Sequence, residues 1–88
     1  MKSLRTLAVA AAGLFAVSGS AHAATEITFW HAMGGQLGET VNTIAKEFNA
    51  SQSDVVLTPV YKGSYEETMT AGIAAFRAGE APNIIQIF

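Results

Sequence analysis

The sequence lacks cysteine altogether and has only two prolines in 88 residues. Without cysteine the protein has no disulfide framework, no thiolate metal site and no cysteine nucleophile. No P-loop string G-x-x-x-x-G-K-[ST], dinucleotide string G-x-G-x-x-G or nucleophile elbow G-x-S-x-G occurs. These absences predict that the chain carries no catalytic residue and needs no cofactor.

Residues 1–23 have the three parts of a secretory signal peptide. Lys2 and Arg5 give a charged head, an uncharged and mostly apolar run follows over residues 6–17, and Ala21-His22-Ala23 forms an A-x-A cleavage site. The apolar run is shorter than the ~20 residues of a bilayer span. An apolar core helix would explain the run alone but not all three parts together. The pattern predicts export, cleavage after Ala23 and no membrane insertion afterwards.

Basic side chains are scarce after the leader. Residues 24–88 contain three basic and seven acidic side chains, a net charge of −4 with histidine neutral. An acidic segment with no basic cluster argues against nucleic acid and against an anionic membrane surface as partners. His31 is the only histidine in this segment, and no second ligand lies at metal spacing, so no metal site is predicted.

The hydrophobic pattern predicts an α/β fold with the element order β-α-β-α-β. Apolar residues recur at helical spacing in two stretches and alternate with short runs rich in β-formers. Strands are predicted at 26–30, 54–61 and 83–88, helices at 36–49 and from Ser64 to just before Gly79, and a polar connector at 49–53. Connections of this length are crossovers, so the strands should be parallel and the crossovers right-handed.

Turn residues mark the ends of these elements. Ser64 and Glu67 fit the S-x-x-E capping box at the start of the second helix. Gly79 supplies a left-handed residue after that helix, and Pro82 blocks its continuation. Pro59 indicates that the second strand is unpaired on one side near its end.

Ligands of open α/β sheets bind beyond the carboxyl ends of the strands. Trp30 and His31 end the first predicted strand, while Tyr61 and Tyr65 flank the turn after the second. Aromatic rings with polar tips suit a ligand that has both carbon and hydroxyl or phosphate groups. Each residue has a simpler explanation, since Trp30 is compatible with core packing, His31 with a bonded loop histidine and Tyr65 with helix packing.

Several strings together resemble the periplasmic solute-binding proteins of ABC importers. The resemblance covers all of residues 24–88. It is carried by F-W-H-A-M (29–33), F-N-A (48–50), Y-K-G-S-Y-E (61–66) and A-G-I-A-A-F-R-A-G (71–79) followed by A-P (81–82). The first string is shared with sugar-binding relatives, whereas the third and fourth are much more specific.

The resemblance implies a two-lobe, type II-like binding fold of which residues 24–88 are the N-terminal part of lobe one. It implies capture of sn-glycerol-3-phosphate or a glycerophosphodiester in the periplasm and delivery to the permease subunits of the transporter. It assigns a ligand contact to Tyr65 alone, while Trp30 and His31 are weaker candidates because of their position at the end of the first strand.

Two alternatives to this function stay open. One is a sugar- or oligosaccharide-binding protein of the same fold, and the other is a secreted α/β enzyme such as a phosphoesterase. The apolar third strand has too little chain after it for cover on both faces. We therefore expect the chain to be the N-terminal piece of a longer protein.

The cleavage site gives the first testable prediction. Export should remove residues 1–23, because the A-x-A site presents small residues to signal peptidase. The intact mass of the exported protein should correspond to a chain that starts at Ala24. A soluble exported protein that keeps its leader would contradict the prediction.

Overall fold

A computed structural model describes residues 23–88, and the predicted signal peptide lies almost entirely outside them. The described part contains three strands and two helices in the predicted order. The elements are β1 (Thr25–His31), α1 (Gly35–Ser51), β2 (Val55–Tyr61), α2 (Tyr65–Arg77) and β3 (Ile84–Ile85).

The three strands form one parallel sheet in the order β2-β1-β3. The ladder between β1 and β2 runs from the pair Thr25–Val55 to the pair His31–Tyr61. On its other side β1 pairs with Ile84 and Ile85 of β3 through Phe29 and Trp30. The α/β class and the parallel strand direction predicted from the sequence are therefore confirmed.

The two helices lie on opposite faces of the sheet. Side chains alternate between the faces of a strand, so Phe29 and His31 share one face and Trp30 occupies the other. Helix α1 covers the first face, where its residue Ala45 borders the same cavity as Phe29. Helix α2 covers the second, because a side chain at Gly72 would collide with Ile85, the partner of Trp30 in the ladder. This arrangement is expected when two right-handed crossovers leave in opposite directions.

Both ends of α2 follow the predicted chemistry. The Ser64 hydroxyl accepts the Glu67 N–H at 3.1 Å, and the Glu67 carboxylate accepts the Ser64 N–H at 2.8 Å, which completes the capping box. At the other end Gly79 has φ +76°. Its N–H donates to the Phe76 carbonyl, and the Glu80 N–H donates to the Ala75 carbonyl at 2.8 Å. These two bonds form a Schellman motif that ends the helix.

Side-chain amides occupy the outer edge of β2. The Asn49 amide accepts the N–H of Leu57 at 2.8 Å and donates to the Leu57 carbonyl at 2.9 Å. The Gln52 amide makes the same pair of bonds to Val55, at 2.9 and 2.8 Å. Alternate residues of a strand face the same edge, so Pro59, which has no N–H, takes the next outward position. The interruption of strand pairing predicted at Pro59 is therefore one part of a longer edge of β2 that is protected against pairing with another strand.

Two predicted boundaries were wrong. The segment 49–53 was predicted to be a connector, but α1 continues through Ser51, and the Ser51 hydroxyl donates to the Phe48 carbonyl at 2.7 Å. Residues 49–53 contain neither glycine nor proline, and polar composition alone does not end a helix. The third strand was predicted over 83–88, but its ladder contains two residues. Asn83 and Gln86 extend it instead, because their side-chain oxygens accept the N–H groups of Thr28 and Ala32.

Little apolar surface is fully buried in the described part. Ala45 is its only buried hydrophobic residue. Large apolar side chains on both helices and on β3 remain exposed: Ile44, Phe48, Met69, Ile73, Phe76 and Ile84. A segment of this size buries too little surface for a stable core by itself. This exposed apolar surface lines cavities between each helix and the sheet.

The amide bonds at the edge of β2 give a prediction for stability. Replacing Asn49 by Ala removes two hydrogen bonds to Leu57 and should cost about 1–3 kcal/mol of unfolding free energy. Asn42→Ala is the matched control. Asn42 lies on the same helix, and its side chain makes no hydrogen bond among the described residues. Chemical denaturation of the protein would measure both, and equal midpoints would contradict the prediction.

Candidate functional site

The carboxyl ends of β1 and β2 meet at one edge of the sheet, which we call the rim. His31 and Tyr61 end their strands as a register pair, with ring centroids 5.9 Å apart. The Lys62 N–H donates to the His31 carbonyl at 2.9 Å, which holds the turn after β2 against the end of β1. The loop 32–34 after β1 and the turn 62–64 after β2 each lead into a helix, so both helix N-termini start at the rim.

His31 is the most constrained residue of the rim. It is 2% exposed, and its ring lies between those of Phe29, at 5.5 Å, and Tyr61. Its Nδ1 accepts the Met33 N–H at 3.1 Å, so the neutral ring carries its proton on Nε2. Burial lowers the pKa of His31 from its usual range, because the interior disfavours the charged imidazolium.

A cavity of about 250 Å³ lies beside His31 on the α1 face of the rim. Its wall combines the His31 ring with polar groups of α1 and with the end of β2, namely Glu39, Asn42 and Tyr61. Gly34 is the N-cap of α1 and provides no side-chain bond to the first turn. The Nε2 atom of His31 has no partner among the described residues, and no side-chain nitrogen or oxygen there is both buried and unbonded. The Nε2–H donor must therefore reach the open space of this cavity.

Trp30 lies on the opposite face of β1 from His31. The Lys62 ammonium sits 4.0 Å from the centre of the Trp30 ring, a cation–π geometry. The turn after β2 is thus held at two points, by the Lys62 N–H on His31 and by the Lys62 side chain on Trp30. In this position Trp30 stabilises the rim from the α2 face.

Tyr65 is the first residue of α2 and lies just past the turn 62–64. Its ring stacks on Phe88 with centroids 5.1 Å apart, and 36% of its surface stays exposed. The hydroxyl has no hydrogen-bond partner among the described residues. Tyr65 therefore presents a free donor and acceptor next to a capped helix terminus whose backbone is fixed.

The structure does not gather the three predicted site residues into one cluster. Trp30 and His31 point to opposite faces, and Tyr65 lies on a different element. The alternation of side chains along β1 already predicts that Trp30 and His31 lie on opposite faces of the sheet. Sequence reasoning missed Lys62, Glu39 and Asn42 at the rim, because their roles depend on the register of β2 and on the rotation of α1 against the sheet. Neither is encoded in a local motif.

Two kinds of feature are absent from the described part. Between residues 23 and 88, no three histidine, cysteine or acidic side chains lie close enough to hold a metal ion. Neither α1 nor α2 has the length and apolar character needed to cross a bilayer.

The fold and the rim define a class: a parallel α/β unit that presents two helix N-termini and aromatic side chains at the carboxyl ends of its strands. The chain is similar to proteins named sn-glycerol-3-phosphate-binding periplasmic protein UgpB. That of Agrobacterium fabrum is 60% identical over 82 residues, or 93% of this chain. That of Yersinia enterocolitica is 50% identical over 86 residues, and that of Escherichia coli K12 is 49% identical over all 88. The resemblance predicted from the sequence is confirmed.

The similarity covers only part of those proteins. The chain spans 19% of the Agrobacterium protein and 20% of each of the other two, about a fifth of the length of the curated relatives it matches. No protein-family model matches the chain.

The buried neutral His31 predicts a pH dependence of stability. Its lowered pKa means that the unfolded chain binds the proton more readily than the folded one. The stability contributed by neutral His31 is complete above the unfolded pKa of about 6.5 and is lost as the pH falls from there towards the folded pKa. His31→Asn keeps an oxygen acceptor for the Met33 N–H but does not titrate. Thermal melts of both proteins should diverge on acidification, and melting curves that shift in parallel would contradict the prediction.

Proposed function

We propose that residues 24–88 are the N-terminal part of lobe one of a periplasmic binding protein that captures sn-glycerol-3-phosphate or a glycerophosphodiester. The captured ligand is passed to the permease subunits of an ABC importer. The observation that carries this proposal is the 60% identity to a relative named for binding sn-glycerol-3-phosphate. Residues 1–23 serve as the cleaved signal peptide that directs the protein to the periplasm, where the names of the relatives place them.

The geometry of the rim supports a binding role. Ligands of open α/β sheets bind at the carboxyl ends of the strands, and this edge carries the free Tyr65 hydroxyl and the Nε2–H of His31. The first turn of α1 has no side-chain cap, so its N–H groups remain available to an oxygen ligand. We propose Tyr65 as a direct ligand contact, with Trp30 and His31 as residues that support the rim.

Binding without catalysis fits these groups better than an enzyme does. The rim has one histidine, which is buried with Nδ1 committed to the backbone, and no nucleophile pairs with it among the described residues. The relatives are named as binding proteins, and a phosphoesterase has no comparable support. A receptor for an uncharged sugar remains the second candidate, because aromatic rings at the rim suit a sugar equally well.

The Tyr65 hydroxyl provides the test. In the complete protein that contains this chain, Tyr65→Phe leaves the ring stacked on Phe88 but removes the group that donates to a ligand oxygen. A buried ligand oxygen left without a partner costs about 1–3 kcal/mol. The affinity for glycerol-3-phosphate, measured by calorimetric titration, should therefore fall roughly five- to hundredfold.

Ser51→Ala is the control, because it removes a hydroxyl at the end of α1 that lies away from the rim. Its affinity should match that of the unmodified protein. Equal affinity in a normally folded Tyr65→Phe protein would remove Tyr65 from the ligand site. Binding of sugars but not of glycerol-3-phosphate would favour the second candidate function.

A further inference from the structure

We infer that His31 is a positioning residue that holds the two rim segments in their binding arrangement, and that ligand capture weakens when this residue is protonated. The first segment is the loop 32–34 after β1, and the second is the turn 62–64 that leads to Tyr65. The inference rests on the proposed function, because it assigns a role in binding to a residue of the same rim.

One residue connects both segments. The His31 carbonyl accepts the Lys62 N–H at 2.9 Å, and the His31 Nδ1 accepts the Met33 N–H at 3.1 Å. Lys62 opens the turn whose Ser64 caps α2, and Tyr65 follows that cap directly. Met33 precedes Gly34, the N-cap of α1. The His31 backbone therefore ties the turn before α2 to the end of β1, and its imidazole ring ties the loop before α1.

Packing leaves this ring little freedom to rearrange. His31 is buried, with the Phe29 and Tyr61 rings on either side, so a lost hydrogen bond is not readily replaced by water. Met33 O also lies where a side chain at position 38 would sit, so only Gly38 lets the loop lie this close to α1. The loop is thus held by contact on one side and by the Nδ1 bond on the other.

Protonation turns Nδ1 of His31 from a hydrogen-bond acceptor into a hydrogen-bond donor. Neutral His31 uses Nδ1 as an acceptor and Nε2–H as a donor, whereas the imidazolium is a donor at both nitrogens. A proton on Nδ1 opposes the Met33 N–H, and the bond is lost. The ring must then turn or the loop must move, and either change displaces the segment that begins α1.

His31 is the only histidine among the described residues, and the groups around it come from each neighbouring element. From α1, Glu39 borders the same cavity as His31. From β2, the Tyr61 ring packs on His31, and the Lys62 ammonium lies over Trp30 on the opposite face. Residues 83–88, which include β3, contribute no titratable side chain, and α2 lies on the opposite face. Burial lowers the pKa of His31 and so favours the neutral ring.

The test compares pH profiles of affinity for glycerol-3-phosphate in the complete protein and in His31→Asn. The phosphate ligand itself titrates, with a second pKa of about 6, so a single profile does not isolate His31. The variant keeps the contribution of the ligand and removes that of the histidine. As the pH falls below about 6.5, towards the lowered pKa of folded His31, the unmodified protein should lose at least about threefold more affinity than the variant.

Parallel profiles would overturn the inference. If His31→Asn does not fold, His31→Gln offers the same comparison with a longer amide. A second readout needs no ligand: the Met33 amide resonance should shift with the titration of His31 in the unmodified protein and stay fixed in the variant. A Met33 resonance that does not titrate would also overturn the inference. Failure to bind glycerol-3-phosphate at about pH 7.5 would instead refute the proposed function, and the Met33 titration would still decide the role of His31.

Discussion

The backbone of β1 is the constraint on which the rest of the described structure depends. It pairs with β2 over seven residues on one side and with β3 on the other, so it fixes both neighbouring strands. The alternation of its side chains then assigns α1 to the face of Phe29 and His31 and α2 to the face of Trp30. The rim exists because β1 and β2 end at the same level, at the pair His31–Tyr61.

Structural features that depend on a few neighbouring residues were predictable from the sequence. The capping box at Ser64, the left-handed Gly79 and the order of the elements follow from local chemistry, and the structure confirms them. The similarity to glycerol-3-phosphate-binding proteins was also predictable, because the strings at 61–66 and 71–79 are long and specific.

Contacts between distant elements were not predictable in the same way. Asn49 was assigned to a connector, yet its amide bonds to Leu57 only because α1 continues past it and lies along β2. Asn83 and Gln86 add side-chain hydrogen bonds to their backbone bonds with β1, an arrangement that depends on the register between β1 and β3. The link from Lys62 to Trp30 likewise requires both strand ends to be placed first.

The two sides of the sheet differ in what they offer to another strand. On the β2 side the amides of Asn49 and Gln52 occupy the outward backbone groups, and Pro59 has no N–H to give. On the other side β3 pairs, within the described residues, with β1 alone. Addition of a further strand to this sheet is therefore directional: backbone groups are open beside β3, whereas along residues 55–59 of β2 the outward N–H groups are bonded or absent. The same asymmetry discourages two partly folded copies from joining through β2 while the polypeptide is still assembling.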